Sequence, residues 1–375
     1  MRVVVAIDSF KGSLSSIEAG NAVKEAICRL DKNAEVLVKP LADGGEGTVD
    51  ALASGLDSKI IEIWVNGPLM TNVKAKYCIL KSSNTAVIEM AAAAGITLVS
   101  GDEKNPLHTT TYGVGELIKD AINRGCRHFI IGIGGSATND GGVGMLSALG
   151  VQFLDKDNQP IALGAQGLKE LCKISTENII SELKECTFSI ACDVKNPLCG
   201  ENGCSRIFAP QKGATPDMID LMDAWLNNYA EITKSVSDKG DKDFEGAGAA
   251  GGLGFAFLAY TNASLKSGID IVLEEIKLEE KIRLADVVVT GEGRLDSQTV
   301  MGKAPIGVAK LAKKYGKKVI AFSGCATDDA DICNEHGIDA FFPILRSVTT
   351  LEEALDKSNA YDNLRATAYQ VFRLI

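Results

Sequence analysis

Apolar residues along this chain follow two rhythms, and the switches between them outline its elements. Residues 3–7 read Val-Val-Val-Ala-Ile without a polar break. Such a run predicts a strand buried on both faces, as in a parallel sheet. Ser15-Ser16-Ile17-Glu18 follows. It has the form of a capping box, with Ser15 as N-cap and Glu18 reaching back. The helix it opens carries Val23, Ala26, Ile27 and Leu30 on one face. Residues 36–38 read as a second strand, residues 48–53 begin a second helix, and residues 60–65 form a strand closed by Asn66-Gly67-Pro68. The C-terminal part repeats this style. Strands at 286–289, 319–322 and 338–343 alternate with helices at 304–315 and 351–375. Both ends therefore read as pieces of one doubly wound parallel sheet with right-handed crossovers.

The middle is patterned differently. Residues 73–78 and 86–89 read as a hairpin around Ser82-Ser83-Asn84. Helices are expected at 113–123, 216–235 and 254–262, and a buried strand at 129–131 leads through a glycine loop to a short helix at 145–149. The expected architecture is α/β, with a doubly wound parallel-sheet domain and a second α/β domain inserted into it. Residues 1–67 and 284–375 would form the first, Rossmann-like domain, and residues 68–283 the inserted one. Lys-Asn-Pro-Leu occurs at 104–107 and again at 195–198, but the flanks differ, so these are two Asn-Pro turns and not a duplication.

Length supports the division, because 375 residues exceed what one hydrophobic core usually serves. The net charge of −10, without a basic block, makes nucleic acid and anionic membrane poor partners. Few aromatics leave no stacking platform for single strands. No run of 18 apolar residues occurs, and the N-terminus enters a core strand rather than a signal peptide. Ten cysteines are scattered without a C-x-x-C pair, and there are three histidines. Buried, reduced thiols in a cytoplasmic protein are expected.

Chemistry concentrates in five polar segments that follow apolar strands. They are Asp8-Ser9-Phe10-Lys11-Gly12-Ser13, Asp43-Gly44-Gly45-Glu46-Gly47-Thr48, the glycine-rich stretch 132–144, Asp193-Val194-Lys195-Asn196-Pro197-Leu198, and Gly291-Glu292-Gly293-Arg294-Leu295-Asp296. Ligands of open α/β sheets sit beyond the carboxyl ends of strands, so the active site is expected in a cleft between the two domains. In the 132–144 stretch, glycines allow close backbone approach, and the helix start adds N–H groups suited to phosphate. Ser136, Thr138, Asn139 and Asp140 add polar side chains there. The alternative is that these glycines serve close helix–strand packing. Across the five segments, seven carboxylates stand against Lys11, Lys195 and Arg294, with Lys303 just downstream. Carboxylates to hold magnesium and position a hydroxyl, with a few cations to neutralise a moving phosphoryl group, make an inventory for phosphoryl transfer.

Other readings remain open at this level. Gly132-x-Gly134-x-x-Ala137 fits a dinucleotide fingerprint after a strand, and Gly246-x-Gly248-x-x-Gly251 fits without one. A nicotinamide oxidoreductase would need a partner for hydride transfer. His128 begins an apolar strand and His108 sits in a turn, so neither suits that role. A small-anion-binding regulator without turnover is a further alternative, against which the surplus of carboxylates argues. No G-x-x-x-x-G-K-[ST] is present, which excludes a P-loop enzyme.

The five segments, taken in order, resemble the signatures of the type I glycerate kinase family. The resemblance spans nearly the whole chain. It implies ATP- and Mg2+-dependent phosphorylation of D-glycerate, with 2-phosphoglycerate as product, by an enzyme of two α/β domains. On this combined reading the candidate catalytic residues are Asp8, Lys11, Asp43, Asp193, Arg294 and Asp296. Gly134, Gly135, Ser136, Thr138, Asn139, Asp140, Glu292 and Lys303 are candidates for holding the nucleotide, and Asp193 and Glu46 for holding the metal. D-glycerate is the expected partner, and a homodimer the assembly to consider.

Overall fold

The computed structural model describes residues 1–39, 41–42 and 48–375, so the expectations placed on Asp43 and Glu46 lie outside the described residues. The chain divides into two compact units: Met1–Leu56 together with Ser267–Ile375, and Asp57–Lys266.

The first unit is built on a five-stranded sheet with every neighbouring pair parallel. Its spatial order is Ala340–Pro343, Lys318–Ala326, Val287–Leu295, Arg2–Val5, Glu35–Val38. The apolar runs explain the arrangement, since Val3, Val5, Val287, Val289, Ile320 and Phe322 all enter one core. The helix Ser16–Leu30 covers that core with Ala19, Val23, Ala26 and Ile27. The capping box is present: the Ser15 N–H donates to Glu18 and the Glu18 N–H donates to Ser15 Oγ. The C-terminal helix is broken in two, Leu351–Leu355 and Lys357–Phe372. Asp356 causes the break by accepting from the Asn359 N–H at 2.9 Å, which starts a new helix.

The second unit carries a six-stranded sheet in the order Ala263–Lys266, Thr187–Ala191, His128–Gly132, Thr85–Glu89, Asn72–Leu80, Ser58–Asn66. The first four strands are mutually parallel and the last two antiparallel. The hairpin expected around Ser82-Ser83-Asn84 is the pairing of Asn72–Leu80 with Thr85–Glu89. Helices Tyr112–Asn123 and Pro216–Thr233 fall where the apolar pattern puts them. A small hairpin joins Gln152–Leu154 to Lys173–Ser175.

Two boundaries differ from the sequence reading, and each has a packing reason. Strand Ser58–Asn66, expected in the N-terminal domain, pairs along its whole length with Asn72–Leu80, and its Ile61 and Val65 enter the second unit's core. At the other end, Gly268–Glu275 and Leu278–Arg283 belong to the first unit. There Ile269 packs so closely on Gly307 that a Cβ on that glycine would lie 2.5 Å from its side chain. All ten cysteines are free thiols. No helix among the described residues is long and apolar enough to cross a membrane.

Candidate active site

In the first unit the chemistry gathers at the carboxyl ends of Arg2–Val5 and Val287–Leu295. The parallel pairing continues past the first strand: the Ala6 N–H donates to Val289 O at 2.8 Å and the Asp8 N–H to Gly291 O at 2.9 Å. Asp8 is thereby set beside the start of the Gly291–Asp296 segment. Its carboxylate accepts from the Ser9 N–H at 2.6 Å. The loop then turns back through paired backbone bonds between Phe10 and Leu14, which leaves Lys11 exposed. Gly293 lies against this loop, where a Cβ would stand 3.4 Å from the Lys11 nitrogen and 3.5 Å from Phe10 Cα, an ordinary contact.

Glu292, Gly293 and Arg294, expected in a loop, lie in the strand, which runs to Leu295 paired with Ala326. The glycines suggest a turn in sequence. Their actual service is contact, since a Cβ on Gly291 would fall 2.0 Å from Phe322 O. Strand geometry sends alternate side chains to opposite faces. Glu292 and Arg294 therefore share a face, and Lys303 meets the carboxylates of Glu292 and Asp296. Lys303 Nζ lies 3.6 Å from Asp296 and 3.8 Å from Glu292, and Arg294 Nε lies 3.3 Å from Asp296. Thr299 Oγ1 donates to Glu292 at 2.8 Å, and the Gln298 N–H donates to Asp296 at 3.0 Å. The two carboxylates are thus largely sheltered and paired, while the Arg294 side chain remains 62% exposed. Beside this group lies a cavity of about 140 Å³ bordered by Phe10, Lys11, Gly293, Leu351 and Leu355. The structure therefore brings Asp8, Lys11, Glu292, Arg294, Asp296 and Lys303 to one place.

The second unit holds Asp193 and the glycine stretch. Asp193 is exposed just beyond strand Thr187–Ala191, and Lys195 pairs with Glu245 at the surface. Gly134 and Gly135 are exposed at the end of His128–Gly132, and Gly135 has a left-handed φ of +72°. After them the stretch goes inside. Thr138, Asn139 and Asp140 are fully buried. Asp140 accepts five hydrogen bonds, from the N–H groups of Thr111, Gly142 and Gly144 and the hydroxyls of Thr110 and Thr111. Burial pushes its carboxyl above the usual carboxylate range, and those bonds oppose the shift. Asn139 Nδ2 donates to Ser205 Oγ at 2.9 Å, while Asn139 Oδ1 and Thr138 Oγ1 have no partner among the described residues.

Two expectations change here. The helix after the stretch spans six residues, Val143–Ala148, and the amides of Gly142 and Gly144 at its start are spent on Asp140. It offers no phosphate seat. Thr138, Asn139 and Asp140, expected to touch nucleotide, have no solvent exposure in this structure, and the Asp140 carboxylate bonds groups inside the unit. The fingerprint-like Gly246–Gly251 segment is also a packing device. A Cβ on Gly251 would fall 2.1 Å from Thr138 O, and one on Gly248 2.2 Å from Pro197 O. His128 Nδ1 bonds Thr187 Oγ1 at 2.8 Å across the strands, as a structural residue does.

One buried charge beside this stretch escapes sequence reasoning. Lys212 is only 2% exposed, and its ammonium donates to Ser136 Oγ at 2.7 Å and to Thr138 O at 2.6 Å. Desolvation drives its pKa down from the ordinary 10.5 to about 8, against the pull of Cys204 and Asp140. Nothing local distinguishes Ala209-Pro210-Gln211-Lys212-Gly213 from a surface turn, and its partners lie more than 70 residues away.

Comparison with known proteins gives matches over the full length of the chain. The profile described as "Glycerate kinase family" matches residues 3–375. A Haemophilus influenzae protein named glycerate kinase is 48% identical over 100% of this chain and 99% of its own. An Escherichia coli K12 protein named glycerate 2-kinase is 48% identical over 97% of this chain and 95% of its own. The crystal structure of a Salmonella typhimurium LT2 protein described as glycerate kinase 2 superposes with a TM-score of 0.91 at 45% identity. It covers 100% of this chain and 98% of that one.

Proposed function

This chain belongs to the glycerate kinase family, a family of phosphotransferases, and on that premise we propose that it transfers the γ-phosphoryl group of ATP to the 2-hydroxyl of D-glycerate, giving 2-phosphoglycerate. The observation that carries the reading is full-length identity near one half to proteins bearing that name. The charge arrangement of the first unit supports it. Arg294 is exposed, anchored at one side by Asp296, and free to present its planar fork to a carboxylate. Lys11, exposed on the neighbouring loop, would neutralise charge on the transferring group. Asp8 and Asp296 would accept the proton of the attacking hydroxyl. Glu292 and Lys303 hold Asp296 and its loop in position.

In the second unit, ligand contact is assigned to Gly134, Gly135 and Ser136 and withdrawn from the three buried residues that follow. Magnesium suits the donors present. It takes hard oxygen ligands and usually accepts only one or two carboxylates alongside nucleotide phosphates. Asp193 is an exposed carboxylate at a strand end, and no cluster of three or more metal-ligating side chains occurs among the described residues. Asp193 would hold the ion, which would supply neutralisation of phosphate charge; Glu46, the other expected ligand, lies outside the described residues. A regulator without turnover and a nicotinamide enzyme both disagree with family membership.

The test is direct. Purified protein with ATP, magnesium and D-glycerate should release ADP only when all three are present, and phosphorus NMR should show the 2-phosphate ester. ADP release independent of glycerate would overturn the reading. A 3-phosphate ester would overturn its regiochemistry alone.

A further inference from the structure

Burying an ammonium group is costly unless an anion or several acceptors compensate it. Lys212 is buried with two neutral acceptors and no ion pair to any described residue. Two other titratable groups act on it. Asp140 is nearby but spends its oxygens on five other donors, and Cys204 on the adjoining helix is a thiol whose pKa burial pushes up to about 12, hence uncharged at working pH. The positive charge is therefore undercompensated. In front of it runs the turn Gly134-Gly135-Ser136, whose two glycines are exposed. The N–H groups of these three residues donate to nothing among the described residues, whereas the carbonyl of Gly135 and the N–H of Ala137 are bonded to the 94–96 segment. That segment fixes the turn, and the left-handed Gly135 shapes the kind of concave amide row that binds anions.

We propose that Lys212 is a positioning residue of a phosphate seat formed by the Gly134, Gly135 and Ser136 amides: its ammonium locks Ser136 and Thr138 and supplies the charge that an incoming nucleotide phosphate compensates. The inference rests on the kinase reading above and names the part of the second unit that receives ATP. The ammonium acts through Ser136 and through its field, in a site where low dielectric strengthens it.

Two consequences run in opposite directions with pH. The folded-state pKa of Lys212 lies below its unfolded value. Its contribution to stability is therefore present above 10.5 and is lost as pH falls through about 8, so the fold gains stability as pH rises from 8. Affinity for ATP should fall over the same range, because the charge disappears. Nucleotide phosphates are fully ionised there, with a second ionisation near pH 6, so the substrate cannot mimic this limb.

The experiment measures kcat/KM for ATP and for D-glycerate from pH 6.5 to 9.5, with melting temperatures at each pH. In the wild-type protein kcat/KM for ATP should decline above about pH 8 while the melting temperature does not. Lys212→Met should lower kcat/KM for ATP roughly tenfold to a hundredfold, as expected for a lost charge-assisted contact. It should also abolish the alkaline limb and keep or raise the melting temperature. Ser136→Ala leaves the charge in place and should weaken ATP use only a few-fold with the limb retained. A flat wild-type profile across pH 8, or a Lys212→Met protein that keeps the limb, would overturn the proposal. An effect confined to glycerate would overturn it too, by making the seat a carboxylate site. If Lys212→Met fails to fold, the wild-type and Ser136→Ala profiles still decide the matter. An inactive wild-type protein would instead remove the kinase reading itself.

Discussion

In sequence, the strand ends of the first unit and the glycine stretch of its companion are close counterparts: both are glycine-rich, polar and preceded by an apolar strand. They differ in what their polar residues do. Around Gly291–Asp296 the side chains pair with one another at the surface, and the cation Arg294 stays exposed. Around residues 132–144 the polar side chains turn inward, and the outward groups are backbone amides at Gly134 and Gly135. One region would work through side chains, the other through its backbone, with polar side chains as scaffold. A motif therefore does not tell a contact residue from a brace. Burial does, and burial depends on partners that lie far along the chain.

The sharpest break of that comparison is at Asp140. If it is a brace, Asp140→Ala leaves three backbone N–H groups and two hydroxyls without an acceptor inside the second unit. Each buried donor left unpaired costs about 1–3 kcal/mol, so a loss above about 3 kcal/mol is expected, a large part of the roughly 5–15 kcal/mol that holds a native fold. Thermal melts and soluble yield would show it. A well-folded Asp140→Ala protein with a normal melt and lost ATP binding would make Asp140 a ligand contact after all.

The opposite pattern is expected at Arg294. In its ion pair with Asp296 the Arg294 side chain is 62% exposed, and pairs with so solvated a partner contribute about 0–1 kcal/mol. Arg294→Lys should therefore barely shift the melting temperature. It should lower kcat/KM for D-glycerate roughly tenfold to 150-fold, the worth of one charge-assisted hydrogen bond, with the ATP parameters little changed. Loss of stability and of nucleotide affinity together would mean that Arg294 braces the strand end instead.

Legibility in the sequence follows the same division. Uninterrupted apolar runs mark the parallel strands, and the Ser15–Glu18 box marks the first helix to its N-cap. Ser58–Asn66 is legible as a strand but not as the neighbour of Asn72–Leu80, because pairing depends on tertiary partners. Gly291 and Gly293 read as a turn, since glycine has the same one-letter signature in a turn and at a close backbone approach. The charged residues of the first unit can be picked out because they cluster directly after an apolar run, at 292–296 after residues 287–289. Lys212 cannot, because its acceptors sit at positions 136 and 138 and nothing periodic connects them.

A smaller effect separates conformation from contact at Gly135. Its φ of +72° lies where an alanine is strained, and Ala91 Cβ would stand 3.5 Å from the added methyl, so space is not the obstacle. Gly135→Ala should cost about 1–2 kcal/mol from the left-handed conformation alone and lower the melting temperature of the second unit. If the turn also seats phosphate, KM for ATP should rise with it while that for glycerate holds. An unchanged ATP parameter beside the expected stability loss would leave the turn a purely structural one.

The smallest expected change is at Thr138, where the comparison can be sharpened without disturbing the fold. Thr138 is fully buried and its Oγ1 finds no partner among the described residues, so the hydroxyl already carries its desolvation cost with no bond in return. Valine has nearly the same shape and removes that hydroxyl, while the Thr138 carbonyl that accepts from Lys212 belongs to the backbone and is kept. As a brace, Thr138→Val should therefore be neutral or stabilising, by about 0–1 kcal/mol, since removing an unsatisfied buried polar group relieves a penalty. Its kinetics should stay within about twofold, or about 0.4 kcal/mol, of wild type. A hydroxyl that met a ligand after movement of the loop would behave otherwise: the melt would hold while KM for ATP rose roughly tenfold or more, the worth of one hydrogen bond to a charged group. Melting and ATP kinetics measured on this one variant thus tell whether the inward-facing half of the glycine stretch ever turns outward.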